Sequence, residues 1–282
     1  MIEGGERGAS RTALGAAALR VIHQSLDGTP KILDDPITAR LFDAKTLEAI
    51  RSGAGAAETP ESRGMRLRVV LRSRWAEDRL EQAVRRSVGQ LVVLGAGLDT
   101  FAYRQPEWAQ YLRIFEIDHP ASQADKRERL AAAGIAIPPN LTFVAIDFER
   151  VSLGEGLLAG GVDFSAPTFF SCLGVLVYLS AEAVDAVFAL AAGFPAGSEI
   201  AFSFGGSGAS RSSATAARAA ELGEPWLTRL DPEILERKLR SIGFAEISFL
   251  GPEEAERVYL RSPRRDALTA PRSSSIGAAI VG

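Results

Sequence analysis

Short apolar runs, most of them closed by glycine or an acidic residue and separated by helical stretches, constrain this chain more than any other feature. Leu91-Val92-Val93-Leu94 stops at Gly95 and shows no polar alternation. A strand of that kind is buried on both faces, which happens where helices cover both sides of a parallel sheet. Arg113–Ile117, Leu141–Ile146, Pro167–Tyr178 and Glu199–Phe204 repeat the pattern, with helical stretches at Pro120–Ala133 and Ala181–Phe194. Strands and helices in alternation predict right-handed βαβ units in an α/β fold, a doubly wound and mostly parallel sheet. Ala245–Leu250 and Ile276–Val281 complete seven strands.

The N-terminal third reads differently. Ser10 is placed to cap a helix through Gln24, and Asp35-Pro36 to start a short one carrying Ile37, Leu41 and Phe42. Ser52–Gly64 is rich in Gly, Ala, Ser and Glu and is expected to be a loop. Apolar residues at helical spacing then predict a helix over Met65–Val88. Residues 1–88 are thus expected to form a helical extension and 89–282 an α/β core, together one domain. Beyond a glycine-rich loop at Gly205–Ser210, helices are expected near Thr215–Leu222 and Pro232–Ile242.

Composition narrows the partners. With 35 acidic and 32 basic residues interspersed, no basic stripe is available to neutralise phosphates, so nucleic acid is not an expected partner. The single cysteine, Cys172, rules out an internal disulfide and points to a reducing, cytoplasmic setting, and His23 and His119 are too few and too far apart for a metal cluster. The longest apolar run, Phe169–Leu179, is too short to span a bilayer, and Met1–Ser10 lacks a secretory pattern.

Ligands of open α/β sheets bind beyond the carboxyl ends of the strands. Three groups are expected there: Gly95-Ala96-Gly97, where glycine allows a ligand close to the backbone; Asp118, about 20 residues on, for ribose hydroxyls; and Asp147-Phe148, for an adenine edge and face. Glu116 is held in reserve for the ribose, as if facing the opposite side of the strand. A dinucleotide fingerprint would place Gly or Ala at position 100, whereas this chain has Asp99-Thr100. An acid at that point, read as the start of a helix after the first strand, opposes a pyrophosphate and suits a cationic amine or sulfonium. S-adenosylmethionine (SAM) is therefore expected ahead of NAD(P).

The wording of the motifs also resembles the leucine carboxyl methyltransferase family, in its bacterial branch of SAM-dependent O-methyltransferases. The segments are Arg11–Leu14, Leu33–Pro36, Arg72–Asp78, Leu91–Arg104 (LVVLGAGLDTFAYR), Phe115–Pro120, Phe143–Glu149, Phe169–Leu179 and Gly223–Leu227. The resemblance runs from about residue 10 to 268 and implies a class I methyltransferase fold whose last strand is antiparallel. It also implies that Arg72 pairs with the methionine carboxylate of SAM, that Gly95 and Gly97 lie against the methionine part, and that the N-terminal helices cover the crevice. Asp118 would take the ribose and Asp147-Phe148 the adenine. One departure stands out: Leu173 occupies a position where the family pattern often carries glutamate, so a protein C-terminal leucine is not carried over as the acceptor. A small carboxylate or hydroxyl compound is expected instead. Tyr178, at the expected end of the fourth strand, is the one catalytic candidate; His119 is read as a helix cap, Arg74 as facing away from Arg72, and Cys172 as an inert buried thiol.

Overall fold

The computed structural model describes residues 10–55, 58–147, 151–206, 214–221, 223–261, 268–272 and 274–282. Seven strands form one sheet: β1 (Gln90–Leu94), β2 (Arg113–Asp118), β3 (Leu141–Ala145), β4 (Thr168–Cys172), β5 (Glu199–Ser203), β6 (Phe244–Phe249) and β7 (Ile276–Val281). Their order is β3-β2-β1-β4-β5-β7-β6; β1 to β5 pair in parallel and β7 runs antiparallel to both its neighbours. Strand order reverses between β1 and β4, which puts the crevice of a doubly wound sheet there.

Every residue of β1, β4 and β5 is buried, as unbroken apolar runs in a central strand require. The pleat divides them between two faces. Leu91 and Val93 join Phe169 beneath the long helix α3 (Pro60–Arg85). Val92 and Leu94 join Phe170 and Phe202 on the other face, against α5 (Ala181–Ala192) and α6 (Pro232–Ser241). No helix among the described residues is long and apolar enough to cross a membrane.

The N-terminal helix α1 (Arg11–Leu26) starts where Ser10 accepts a hydrogen bond from the Ala13 amide. Ala17 and Val21 of α1 pack with Leu98 of the loop after β1 and with Leu130 of α4 (Pro120–Ala132). The expected loop over Ser52–Gly64 is mostly helix. Asp43 caps α2 (Ala44–Ala54), accepting from the Thr46 amide at 2.8 Å, and Thr59 with Ser62 forms a capping box ahead of Pro60 at the start of α3. The caps override a composition that reads as loop.

Two further expectations change. The fourth apolar run is strand only to Cys172, because Gly174 turns at φ +75° and a 3₁₀ turn follows over Leu176–Tyr178. Tyr178 therefore sits in that turn and not at a strand end. No α-helix follows β1, where 3₁₀ turns cover Phe101–Tyr103 and Glu107–Ala109 and Pro106 lies between them. Proline there lacks a helical donor and disfavours helix in the residue before it.

Phe202 has no exposed surface and makes edge contacts with Phe188 and Phe249. Phe202→Ala is expected to destabilise the fold by about 3–5 kcal/mol, read from urea denaturation.

Candidate functional site

The carboxyl ends of β1, β2 and β4 meet at the crevice. Gly95 has φ +63° and Gly97 φ +45°, a region where a side chain is strained. A Cβ on Gly95 would lie 2.5 Å from a Val175 methyl, and one on Gly97 would lie 3.1 Å from the Cβ of Ala13 on α1. The glycine loop is thus held between the β4 turn and the N-terminal helix. Ala96 donates to the Ile117 carbonyl at 3.0 Å, which fixes the loop to β2.

Asp118 ends β2 and faces this loop. One carboxylate oxygen accepts from the Gly97 amide at 2.5 Å and the other from the His119 amide at 2.7 Å. Burial raises its pKa, partly offset by those two amides. Each oxygen keeps a further lone pair for a ligand hydroxyl. His119 caps α4, accepting from the Ala121 amide at 3.3 Å, as expected. Asp147 lies just past β3, where the Asp118 carbonyl receives the Ile146 amide at 2.9 Å. Phe148, assigned to the adenine, lies outside the described residues.

The Glu116 expectation fails on pleat geometry. Residues two apart on a strand share a face, so Glu116 points the same way as Asp118, but lies deeper. It is 1% exposed, pairs with Lys126 of α4 at 2.7 Å and accepts from the Tyr103 hydroxyl at 3.3 Å. Burial pushes its carboxyl up to about 7 although Lys126 pulls the other way. Its carboxylate is enclosed by the protein.

Arg72 projects from α3 beside the β4 turn. A Cβ on Gly174 would lie 2.7–3.0 Å from the guanidinium, so glycine alone lets the two pack face to face. Burial first, then the nearby Arg20, push Arg72 down to about 10, with Tyr178 and Asp99 opposing. It stays cationic at neutral pH, and no hydrogen bond or ion pair of Arg72 is present among the described residues, whereas Arg74 pairs outward with Asp78 at 2.5 Å. A half-buried guanidinium without an ion-pair partner is the donor set an anionic ligand group needs. Asp99 accepts from the Phe101 amide at 2.9 Å and lines, with Ser73, Glu77, Ser171 and Leu173, a small cavity of about 20 Å³. Cys172 is fully buried and its thiol is pushed up to about 12, which removes it as a nucleophile.

Sequence reasoning missed the residues that hold these parts together. Asp35, buried and at the turn before Thr38–Leu41, accepts from the Thr38 amide at 3.1 Å and the Thr100 hydroxyl at 2.8 Å, and ion-pairs with Arg20 at 3.2 Å and Arg104 at 3.7 Å. Arg20 also donates to the Leu98 carbonyl, and Arg104 grips Glu77 of α3 through both carboxylate oxygens. Buried Arg, Asp and Glu scattered through three segments carry no local periodicity, so nothing short of pairing them in space identifies them. On the other rim, Glu224 receives the Arg11 amide at 2.9 Å and the Ser10 hydroxyl at 3.1 Å, while the Leu227 amide donates to the Val177 carbonyl at 2.7 Å. That segment bridges α1 and the Tyr178 turn.

Burial alone would raise Asp35, but Arg20 and Arg104 outweigh it and hold the carboxyl below its ordinary 3.8. A carboxyl depressed in the folded state stabilises at neutral pH, and that contribution is lost as pH falls through its folded-state value. The melting temperature should therefore fall as pH drops below about 4, and Asp35→Asn should flatten part of that fall in scanning calorimetry.

A family model described as leucine carboxyl methyltransferase matches residues 13–192. A Bacillus subtilis (strain 168) protein, YktD, named as a proposed S-adenosyl-L-methionine-dependent methyltransferase, is 35% identical over 189 residues, 64% of this chain and 62% of that protein. A Mycobacterium avium (strain 104) protein with the same kind of name is 34% identical over 200 residues, 68% of this chain and 66% of its own. The match thus spans less than two thirds of either relative's length. Among solved structures, a proposed methyltransferase from Thermobifida fusca YX superposes with TM-score 0.59 at 21% identity over 94% of both chains. A DUF574 family protein from Streptomyces avermitilis MA-4680 reaches 0.56 at 16% identity over 97% of both. At such identities the likeness speaks for the fold, the sheet of the class I methyltransferases.

Proposed function

The chain belongs to the leucine carboxyl methyltransferase family, and from that premise we propose that it transfers a methyl group from SAM to an oxygen of a small carboxylate or hydroxyl compound. The observation that carries this reading is Arg72, a cation at neutral pH with no protein anion against it, packed on Gly174 at the mouth of the glycine loop. The carboxylate of an amino-acid moiety supplies the missing partner in a geometry that suits guanidinium. Gly95 and Gly97 leave backbone open to the methionine chain, Asp118 accepts ribose hydroxyls, and Asp147 with Phe148 takes the adenine. Asp99 provides a negative charge for the amine.

When bound, SAM supplies a methyl group made electrophilic by its sulfonium. The chain's own residues hold the donor rigidly and direct an acceptor oxygen along the line of displacement. A carboxylate acceptor needs no base. A hydroxyl acceptor does, and Tyr178, in the turn beside Arg72, is the side chain available for that contact. The proposal includes a cytoplasmic setting, on the strength of one fully buried cysteine, and a small-molecule acceptor with neither nucleic acid nor membrane as partner. An NAD(P) reading is disfavoured because a three-residue 3₁₀ turn follows the glycine loop where a pyrophosphate would need a helix N-terminus.

Calorimetric titration with SAM, S-adenosylhomocysteine and NADH tests the donor. NADH binding without either adenosyl ligand would sink the proposal. Incubation with methyl-labelled SAM and panels of carboxylates and hydroxyl compounds tests the reaction; donor binding with no labelled product would leave a SAM-binding regulatory protein. Arg72→Ala and Asp118→Ala are each expected to weaken SAM binding by roughly tenfold or more while circular dichroism stays unchanged. Parent-like affinity in both variants would remove the site assignment.

A further inference from the structure

Arg72 and the glycine loop belong to separate parts of the chain, and a ligand held by both requires a defined distance between them. Among the described residues, one side-chain hydrogen-bonded tie joins α3 to the stretch after the glycine loop. Arg104, at the end of the 3₁₀ turn after the glycine loop, places two guanidinium nitrogens on the two carboxylate oxygens of Glu77, one of them at 3.0 Å. Glu77 lies five residues beyond Arg72 on α3, about 7.5 Å along the helix axis. The same Arg104 donates to the Thr100 hydroxyl at 3.1 Å, and Thr100 in turn donates to Asp35 at 2.8 Å. From α1, Arg20 reaches both Asp35 and the Leu98 carbonyl.

A bidentate pair fixes angle as well as distance. Its two members are 13% and 17% exposed, so solvent screens the pair little. Both Glu77 oxygens accept from Arg104, so the carboxylate is held in one orientation. We propose that Glu77 is a positioning residue of the donor site: through Arg104 it sets the spacing between Arg72 and the glycine loop, and so the affinity for the amino-acid half of the donor. Asp118 and Asp147 sit on β2 and beyond β3 and are held by backbone bonds that bypass this tie. The adenosine half is therefore independent of Glu77.

The inference rests on the donor reading above, and two ligands separate the halves. S-adenosylhomocysteine contains both; 5′-methylthioadenosine keeps adenosine and sulfur but lacks the amino-acid part. Affinities of the full chain for each are measured by calorimetry for the parent, Glu77→Gln, Arg104→Lys and Thr38→Ala. Glu77→Gln is expected to weaken S-adenosylhomocysteine by roughly tenfold and leave 5′-methylthioadenosine within about twofold. Arg104→Lys keeps the charge without the fork and should show the same selective loss, which keeps the test decisive if Glu77→Gln does not fold. Thr38→Ala removes a donor to Asp35 that is not part of the tie; it should lower the melting temperature and leave the ratio of the two affinities unchanged. Equal losses for both ligands, or no loss for either, would overturn the proposal while the donor reading stands. A parent that binds neither ligand would overturn both.

Discussion

Asp35 has no exposed surface, yet four residues from two separate stretches of the chain converge on its carboxylate: Arg20 of α1, Thr38 of the adjoining turn, and Thr100 and Arg104 beyond the glycine loop. A carboxylate taken out of water without partners would be strongly destabilising, and so would either arginine. The N-terminal extension and the loop after β1 must therefore assemble together. A second buried set joins the helices of the extension to one another: Arg66 of α3 grips both oxygens of Asp27 at 2.9 and 2.8 Å, and Asp27 also holds His23 at 2.6 Å. The helical extension is bound to the sheet domain by charge pairing as well as by apolar packing.

That arrangement makes Arg72 stand out. Arg20, Arg66 and Arg104 each have a carboxylate within 3.2 Å, and Arg72 shows none among the described residues. Keeping a half-buried cation beside Gly174, with Arg20 near enough to push its pKa lower, opposes folding stability. Such a cost is retained where a ligand removes it. Leu173 adds an apolar wall to the small cavity below, where Asp99 supplies a negative charge. The proposed donor would meet a fixed cation at one end and fixed anions at the other, which suits a zwitterionic amino acid.

The sheet and its strands were legible because fully buried strands leave uninterrupted apolar runs and parallel connections leave helices between them. The strand-end positions of Gly95, Gly97, Asp118 and Asp147 follow from that topology, and the N-caps at Ser10 and His119 from local hydrogen bonding. Local readings failed where a competing signal was stronger. Asp43 and Thr59 turned an apparent loop into two helices, and Gly174 ended a strand that apolar residues alone would continue to Tyr178. Pro106, with Thr100 drawn toward Asp35, left 3₁₀ turns where a helix would ordinarily follow a glycine loop.

By itself, then, the sequence determined the sheet, its crevice and the acids at the strand ends, since each depends on periodicity or on neighbours a few residues away. Only the tertiary structure decided which charges are spent on holding the fold and which remain for a ligand. Arg20, Arg72 and Arg104 are indistinguishable as letters; their roles differ because Asp35 and Glu77, brought in from elsewhere in the chain, reach two of them and leave the third. Pairing over such separations is set by packing, and no local pattern encodes it.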